Sequence, residues 1–151
     1  RYTKDFKKFK IHKFRSMIMD AEKPGQVIPA VEHDPRITPI GKFIRATRID
    51  ELPQFIDILV GNMSLVGPRP ERIEHVSKYC KEVPEFGMRL KVKGGLTGYA
   101  QVYGKYNTSA YDKLKLDLSY ISNYSLMLDL KIILLTLRTI FSKESTEGFS
   151  E

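Results

Sequence analysis

A chain of 151 residues, 42% hydrophobic and 28% charged, is long enough for one folded domain with a core of its own. Its net charge of +7, from 25 basic against 18 acidic residues, argues against cationic partners and points to anions: nucleic acid, acidic lipid or phosphorylated substrates. The single Cys80 excludes an internal disulfide and fits a reducing interior, and no apolar run of about 18 residues is present to form a conventional spanning helix.

No signal peptide is visible, and from a start at Arg1 rather than Met the expectation is a fragment of a longer chain, with room for an upstream targeting or membrane segment. Residues 1–20 mix Arg1, Lys4, Lys7, Lys8, Lys10, Lys13 and Arg15 with Tyr2, Phe6, Phe9 and Phe14. Such a segment can stack on nucleic acid bases, sit at a lipid headgroup layer, or simply be a solvated basic face. Phe9, Ile11 and Lys13 alternating with Lys10 and His12 predict a short strand. Residues 21–39, with Pro24-Gly25, Pro29, Asp34-Pro35 and Pro39, read as a loop. Ile40, Phe43 and Ile44 then make a short helical face, on which Arg45 and Arg48 are neighbours one turn apart.

The chain is organised around residues 45–70, RATRIDELPQFIDILVGNMSLVGPRP. Leu52, Phe55, Ile56 and Leu59 predict one face of a helix running from Glu51 and ended by Gly61, with Pro53 tolerated in the first turn. Asp50 falls at or beside the N-cap, where the helix dipole favours negative charge. Capping accounts for one carboxylate. It leaves the second, Glu51, and the surrounding Arg45, Arg48 and Arg69 unexplained, and arginine forks suit phosphate. The reading preferred here is therefore a phosphate site.

Ile73, Val76 and Cys80 mark a further helix ending before Pro84, and 88–92 reads as a strand. Lys93-Gly94-Gly95-Leu96-Thr97-Gly98 can offer a cation and backbone N–H groups to a phosphate, without the pattern of a nucleotide P-loop. Residues 100–103 read as another strand. A helix over about 111–121 carries Leu114, Leu118 and Ile121 on one face with Asp117 at its edge, so Asp117 needs a cationic partner or a function. The last helix, from Leu126 to Phe141, has a broad stripe of Leu126, Leu130, Ile133, Leu134, Leu137, Ile140 and Phe141. Asp129, Lys131 and Arg138 argue against spanning; a place in the membrane interface is preferred over a central core helix. The tail over 142–151 is polar.

Six motifs occur in order: KFRSM at 13–17, DPRIT at 34–38, GKFIRATRIDELPQ at 41–54, MSLVGPRPE at 63–71, GLTGYAQV at 95–102 and LDLSY at 116–120. On these the chain resembles the catalytic domain of bacterial sugar transferases, the monotopic polyprenyl-phosphate glycosyl-1-phosphate transferases that initiate exopolysaccharide, capsule and O-antigen synthesis. The resemblance implies that Asp50 is a nucleophile toward the sugar-linked phosphate of a UDP-sugar, releasing UMP, with the lipid phosphate then taking the phosphosugar. It implies catalytic roles for Asp50, Glu51, Lys13, Arg45 and Asp117, phosphate contacts from Arg48, Arg69, Lys93 and Lys105, and magnesium as cofactor on Glu51. Two positions depart from the family pattern: Gly94 stands where Pro is usual, and Lys105 where many members have Arg.

The expected partners are a UDP-sugar, polyprenyl phosphate and membrane lipid at the cytosolic face of a bacterial inner membrane; a homodimer stays open. The competing reading, a non-catalytic basic module for nucleic acid or anionic lipid, leaves DELPQ and GPRP without a purpose, so nucleic acid is not expected. The expected fold is a small α+β domain, helix-rich with a few short strands, monotopic and membrane-associated. Residues 1–141 would be the catalytic domain, its N-terminal membrane segment missing, and 142–151 a polar tail.

Overall fold

The computed structural model describes residues 1–21, 28, 31, 34–104 and 108–141, the side chain of Phe141 excepted. Lys105, most of the 21–39 loop and the 142–151 tail therefore lie outside the described residues. The described part is helix-rich, with a two-stranded parallel sheet, in line with the expected α+β class.

Helix α1 (Pro39–Ala46) begins where Thr38 Oγ1 accepts the Gly41 N–H at 2.9 Å, with Pro39 supplying a first turn that needs no donor. Arg48 is in the left-handed region at φ 59°, and this reversal leads into a 3-10 turn over Ile49–Glu51. Helix α2 follows over Gln54–Leu59. The helix expected from Glu51 is thus split, since Pro53 has no N–H to continue the ladder and instead precedes α2. The turn also takes Arg48 off α1, so Arg45 and Arg48 are not neighbours on one helix face.

Strand β1 (Met63–Val66) pairs in parallel with β2 (Gly94–Thr97), registering Met63 with Gly94 and Val66 with Thr97. Between them run α3 (Ile73–Glu82) and a 3-10 segment over Pro84–Lys91. After β2 come α4 (Tyr99–Tyr103), α5 (Ala110–Ser122) and α6 (Leu126–Phe141). One core gathers Val76, Phe86, Leu90 and Leu114, from α3, the 3-10 segment and α5. A second gathers Val66, Tyr120 and Ile132, from β1, α5 and α6. Helix α6 is tied down further by Thr136 against Thr97 at 2.6 Å and by the Tyr120 hydroxyl donating to Asp129 at 2.8 Å.

Both strands lie outside the segments predicted as strands. The stretch around Phe9–Lys13 is irregular, because its N–H groups go elsewhere: His12 donates to the Asp57 side chain and Phe14 to the Asp50 carbonyl. The stretch read as a strand over 88–92 belongs mostly to the 3-10 segment, where Phe86, Arg89 and Leu90 are buried at helical spacing. The run at 100–103 is helical, started by Gly98, whose carbonyl accepts from both Gln101 and Val102.

The glycine segment is a strand and not a free phosphate loop. Gly94 N–H donates to Thr3 Oγ1 at 3.3 Å and Gly95 N–H to the Pro68 carbonyl at 3.0 Å. A Cβ on Gly95 would stand 2.1 Å from the Gly67 nitrogen and 2.4 Å from the Thr97 oxygen, so this position accepts only glycine for reasons of space. Replacing Gly95 with Ala is therefore expected to cost about 1–3 kcal/mol, read as a lower midpoint in urea unfolding. An unchanged midpoint would show that β2 and the Gly67 loop do not need this close approach.

Candidate active site

Asp50 and Glu51 lie in the 3-10 turn, and both are buried. The turn is held from the N-terminal segment, where the Phe14 N–H donates to the Asp50 carbonyl at 3.0 Å. Lys13, one residue earlier, places Nζ 2.7 Å from Glu51 Oε1 and 3.9 Å from Asp50 Oδ2. Arg69 grips Glu51 from the other side, Nη2 on Oε1 and Nη1 at 3.5 Å from Oε2. Its backbone is stiffened by Pro68 and Pro70 on either side. Thus KFRSM, DELPQ and GPRP, distant in sequence, meet at one pair of carboxylates.

The two carboxylates differ in environment. For Glu51 burial works against the charge, but Arg69 and Lys13 outweigh it and hold the group at about 2. For Asp50 burial dominates: Lys13, Arg45 and Arg48 pull the other way, Glu51 adds repulsion, and the pKa ends above its ordinary value. Glu51 is locked as an anion in a clasp of cations, while among the described residues the Asp50 carboxylate has only a long contact, with Lys13. Burial also lowers the Lys13 ammonium, which Glu51 partly restores. Positive charge exceeds negative around the pair, so the cluster suits a further anion.

A second polar layer stands behind Arg69. The Arg69 carbonyl accepts from Arg89 Nη2 at 3.1 Å, and Arg89 pairs with Asp117 at 2.7 Å. Both side chains are essentially enclosed, 2% and 1% exposed. Glu71 joins them, 2.9 Å from Lys113 Nζ and 3.8 Å from Arg89. Asp117 therefore supports Arg69 through Arg89 and makes no contact with Asp50 or Glu51; its Oδ1 has no partner among the described residues. Burial raises its pKa and Arg89 opposes that.

The remaining expected residues spread out. Arg45, in the last turn of α1, and exposed Arg48 act on Asp50 through longer-range attraction. Lys93 Nζ would lie 3.7 Å from a Cβ on Gly61, at the far end of α2 from Asp50. Sequence reasoning missed Arg89, Glu71, Lys113, Asp57 and His12. A signal existed for Arg89, because an Asp beside leucines on α5 demands a cation; nothing local marked its partner 28 residues away.

No cluster of three or more metal-ligating side chains occurs among the described residues. Among the described residues, Oε2 of Glu51 is engaged by the 3.5 Å Arg69 contact alone, which leaves room for a further partner. That fits a magnesium ion held by one carboxylate plus phosphates and water, and it does not fit an all-protein cage.

Compared with known proteins, residues 1–143 match the family described as bacterial sugar transferase. The chain belongs to that family. This sugar transferase is 44% identical over 150 residues to the UDP-glucose:undecaprenyl-phosphate glucose-1-phosphate transferase of Klebsiella pneumoniae, covering 96% of the chain and 32% of that protein. It is 44% identical over 145 residues to the UDP-N-acetylgalactosamine-undecaprenyl-phosphate N-acetylgalactosaminephosphotransferase of Aeromonas hydrophila, covering 94% of the chain and 34% of the relative. A galactosyl transferase of Streptococcus agalactiae is 45% identical over 143 residues, covering 87% of the chain and 31% of that protein. The chain thus spans about a third of the length of these curated relatives.

The Glu51 clasp makes stability depend on pH. Its carboxyl falls from 4.5 to about 2 on folding, so its contribution is complete above pH 4.5 and is lost as pH falls toward about 2. Urea unfolding across that window is expected to lose on the order of 2 kcal/mol in the wild type beyond what Glu51→Gln loses. Parallel pH profiles for the two proteins would remove Glu51 from the clasp.

Proposed function

We propose that this chain is the catalytic part of an enzyme transferring sugar-1-phosphate from a UDP-sugar to undecaprenyl phosphate, with Asp50 as nucleophile. The observation that carries this reading is the division of labour at the carboxylate pair. Glu51 is committed to Lys13 and Arg69, while the Asp50 carboxylate, its neighbour in the same turn, is buried with no close partner among the described residues.

In the first half, an Asp50 oxygen attacks the sugar-bearing phosphorus. The phosphoanhydride bond breaks, its electron pair leaves with UMP, and a phosphosugar ester remains on Asp50. Lys13 and Arg69 offset charge on the phosphate oxygens, with Arg45 and Arg48 at longer range. In the second half, a phosphate oxygen of the lipid attacks the same phosphorus and frees the Asp50 carboxylate. Glu51 would hold magnesium together with the substrate phosphates, and the ion would neutralise charge on the departing UMP. The three relatives are named for three different sugars, so the cluster described is the part that handles phosphate, common to any of them. A non-catalytic nucleic-acid module fits poorly, because it leaves the central pair of carboxylates without a use.

Membrane lipid is the remaining partner. No helix among the described residues is long and apolar enough to cross a membrane. Helices α1 and α2 nevertheless turn apolar side chains outward: Ile40, Phe43, Phe55, Ile56 and Leu59 are exposed, Leu59 at 86%. On α6, Ile132 is enclosed while Leu126, Met127, Leu130, Leu134 and Leu137 are exposed, so that helix serves the core on one side only. We infer a monotopic arrangement with these faces in the lipid interface, on the cytosolic side of a bacterial inner membrane.

Incubating the full-length protein with UDP-sugar and magnesium, without lipid, should release UMP and leave a phosphosugar ester on the peptide containing Asp50. Asp50→Asn should abolish both, and the wild-type half-reaction should fade in acid through a pKa above 3.8 as Asp50 takes a proton. An adduct elsewhere, or turnover with no lipid-independent half-reaction, would overturn the mechanism. For the membrane face, Phe43→Gln with Leu59→Gln should reduce vesicle binding several-fold while stability stays within about 0.5 kcal/mol. Equal binding by the double variant would move the interface elsewhere.

A further inference from the structure

Lys13 lies on a stretch of chain that belongs to no helix or strand, yet its ammonium must meet Glu51 and Asp50 within a few ångströms. A four-carbon side chain on irregular backbone has no intrinsic reason to stay there. What holds the backbone is a pair of hydrogen bonds, one on each side of Lys13. Phe14 N–H donates to the Asp50 carbonyl at 3.0 Å, and His12 N–H donates to Asp57 Oδ2 at 2.9 Å. Asp57 uses its other oxygen on the same residue, with His12 Nδ1 2.9 Å from Oδ1.

Asp57 is an unusual place for a carboxylate. Its side chain is 0% exposed, although its partner ring is 55% exposed. A buried carboxylate is costly unless both oxygens are engaged, and here one residue engages both. It also sits on α2 seven positions after Asp50, and Gln54 on the same helix is buried as well. The helix that directly follows the turn of the carboxylate pair thus grips the backbone that presents Lys13.

We propose that Asp57, through its two-point hold on His12, is a positioning residue that sets Lys13 against Glu51 and Asp50. Asp57 touches no reacting atom and acts only by placing Lys13. The inference rests on the transferase reading for its kinetic consequence, while its structural consequence is independent of any reaction.

The test uses full-length protein carrying Asp57→Ala or Asp57→Asn, with Lys13→Ala alone and combined with Asp57→Ala. An asparagine oxygen still accepts the His12 N–H, and its NH2 can face Nδ1 of a neutral imidazole, so Asp57→Asn preserves the hold and alanine removes it. Amine acetylation followed by peptide mass spectrometry should show Lys13 labelled several-fold faster in Asp57→Ala. Wild-type rates are expected at Lys13 in Asp57→Asn and at the other lysines in both variants. UMP release should fall about 10- to 100-fold in Asp57→Ala and recover in Asp57→Asn. Asp57→Ala should add little to Lys13→Ala, because the two losses share one cause.

Wild-type labelling of Lys13 in Asp57→Ala overturns the proposal, as does an effect on UMP release that multiplies with that of Lys13→Ala. Faster labelling across all lysines in Asp57→Ala, meaning general unfolding, also overturns it if Asp57→Asn behaves the same way. If the labelling pattern appears but no wild-type UMP release is found, the positioning role stands and the transferase reading fails.

Discussion

Everything at the centre of this molecule depends on one buried carboxylate held by two cations. Glu51 in the middle of the chain draws Lys13 from the N-terminal segment and Arg69 from the GPRP loop to a single point. Such a pair inside a protein is useful only when fully matched, since removing either partner leaves charge uncompensated. The match fixes where the cations stand and leaves the Asp50 carboxylate, one residue away, buried and without a close partner among the described residues. An anion entering this cluster would meet positive charge already assembled, at little cost in reorganisation.

The cations are themselves held. Arg69 is braced by flanking prolines and by Arg89, which Asp117 and Glu71 keep in place from behind. Lys13 is braced by backbone bonds to Asp50 and Asp57. The interior of this small domain is therefore unusually ionic, and its apolar cores, around Phe86 and around Ile132, lie beside that network. A polar interior has a counterpart outside. Helix α2 buries Gln54 and Asp57 while exposing Phe55, Ile56 and Leu59, the reverse of an ordinary amphipathic surface helix. That inversion is one observation behind the proposed place of α2 at a lipid interface.

Periodicity was a good guide to which residues share a helix face and a poor guide to which face is inside. Leu52, Phe55, Ile56 and Leu59 do fall together, but toward the exterior, because the carboxylates and their cations claim the interior. The strands escaped the sequence reading for a related reason. Both are only four residues long, Met63–Val66 and Gly94–Thr97, the second with two glycines, and each exists only because the other is there to pair with it. The alternating stretch at 9–13 looked more like a strand, yet its pairing ends at Phe9, which exchanges hydrogen bonds with Arg1, and His12 is taken by the Asp57 side chain.

The sequence by itself determined the helices α3, α5 and α6, whose patterns are long enough to be unambiguous, and the family, through six motifs in order. It also grouped Asp50 and Glu51 with Arg69, through the arginines around the pair, while Lys13 joined them through what the resemblance implies. Tertiary structure alone decided the rest. It separated the two carboxylates into one clasped and one without a close partner, and turned the glycines at 94–95 from a phosphate loop into a packed strand. It put Asp117 behind Arg69 and brought Asp57 onto His12 across 45 residues of chain. Each of those outcomes rests on a partner distant in sequence, and local pattern carries no information about which distant group will arrive.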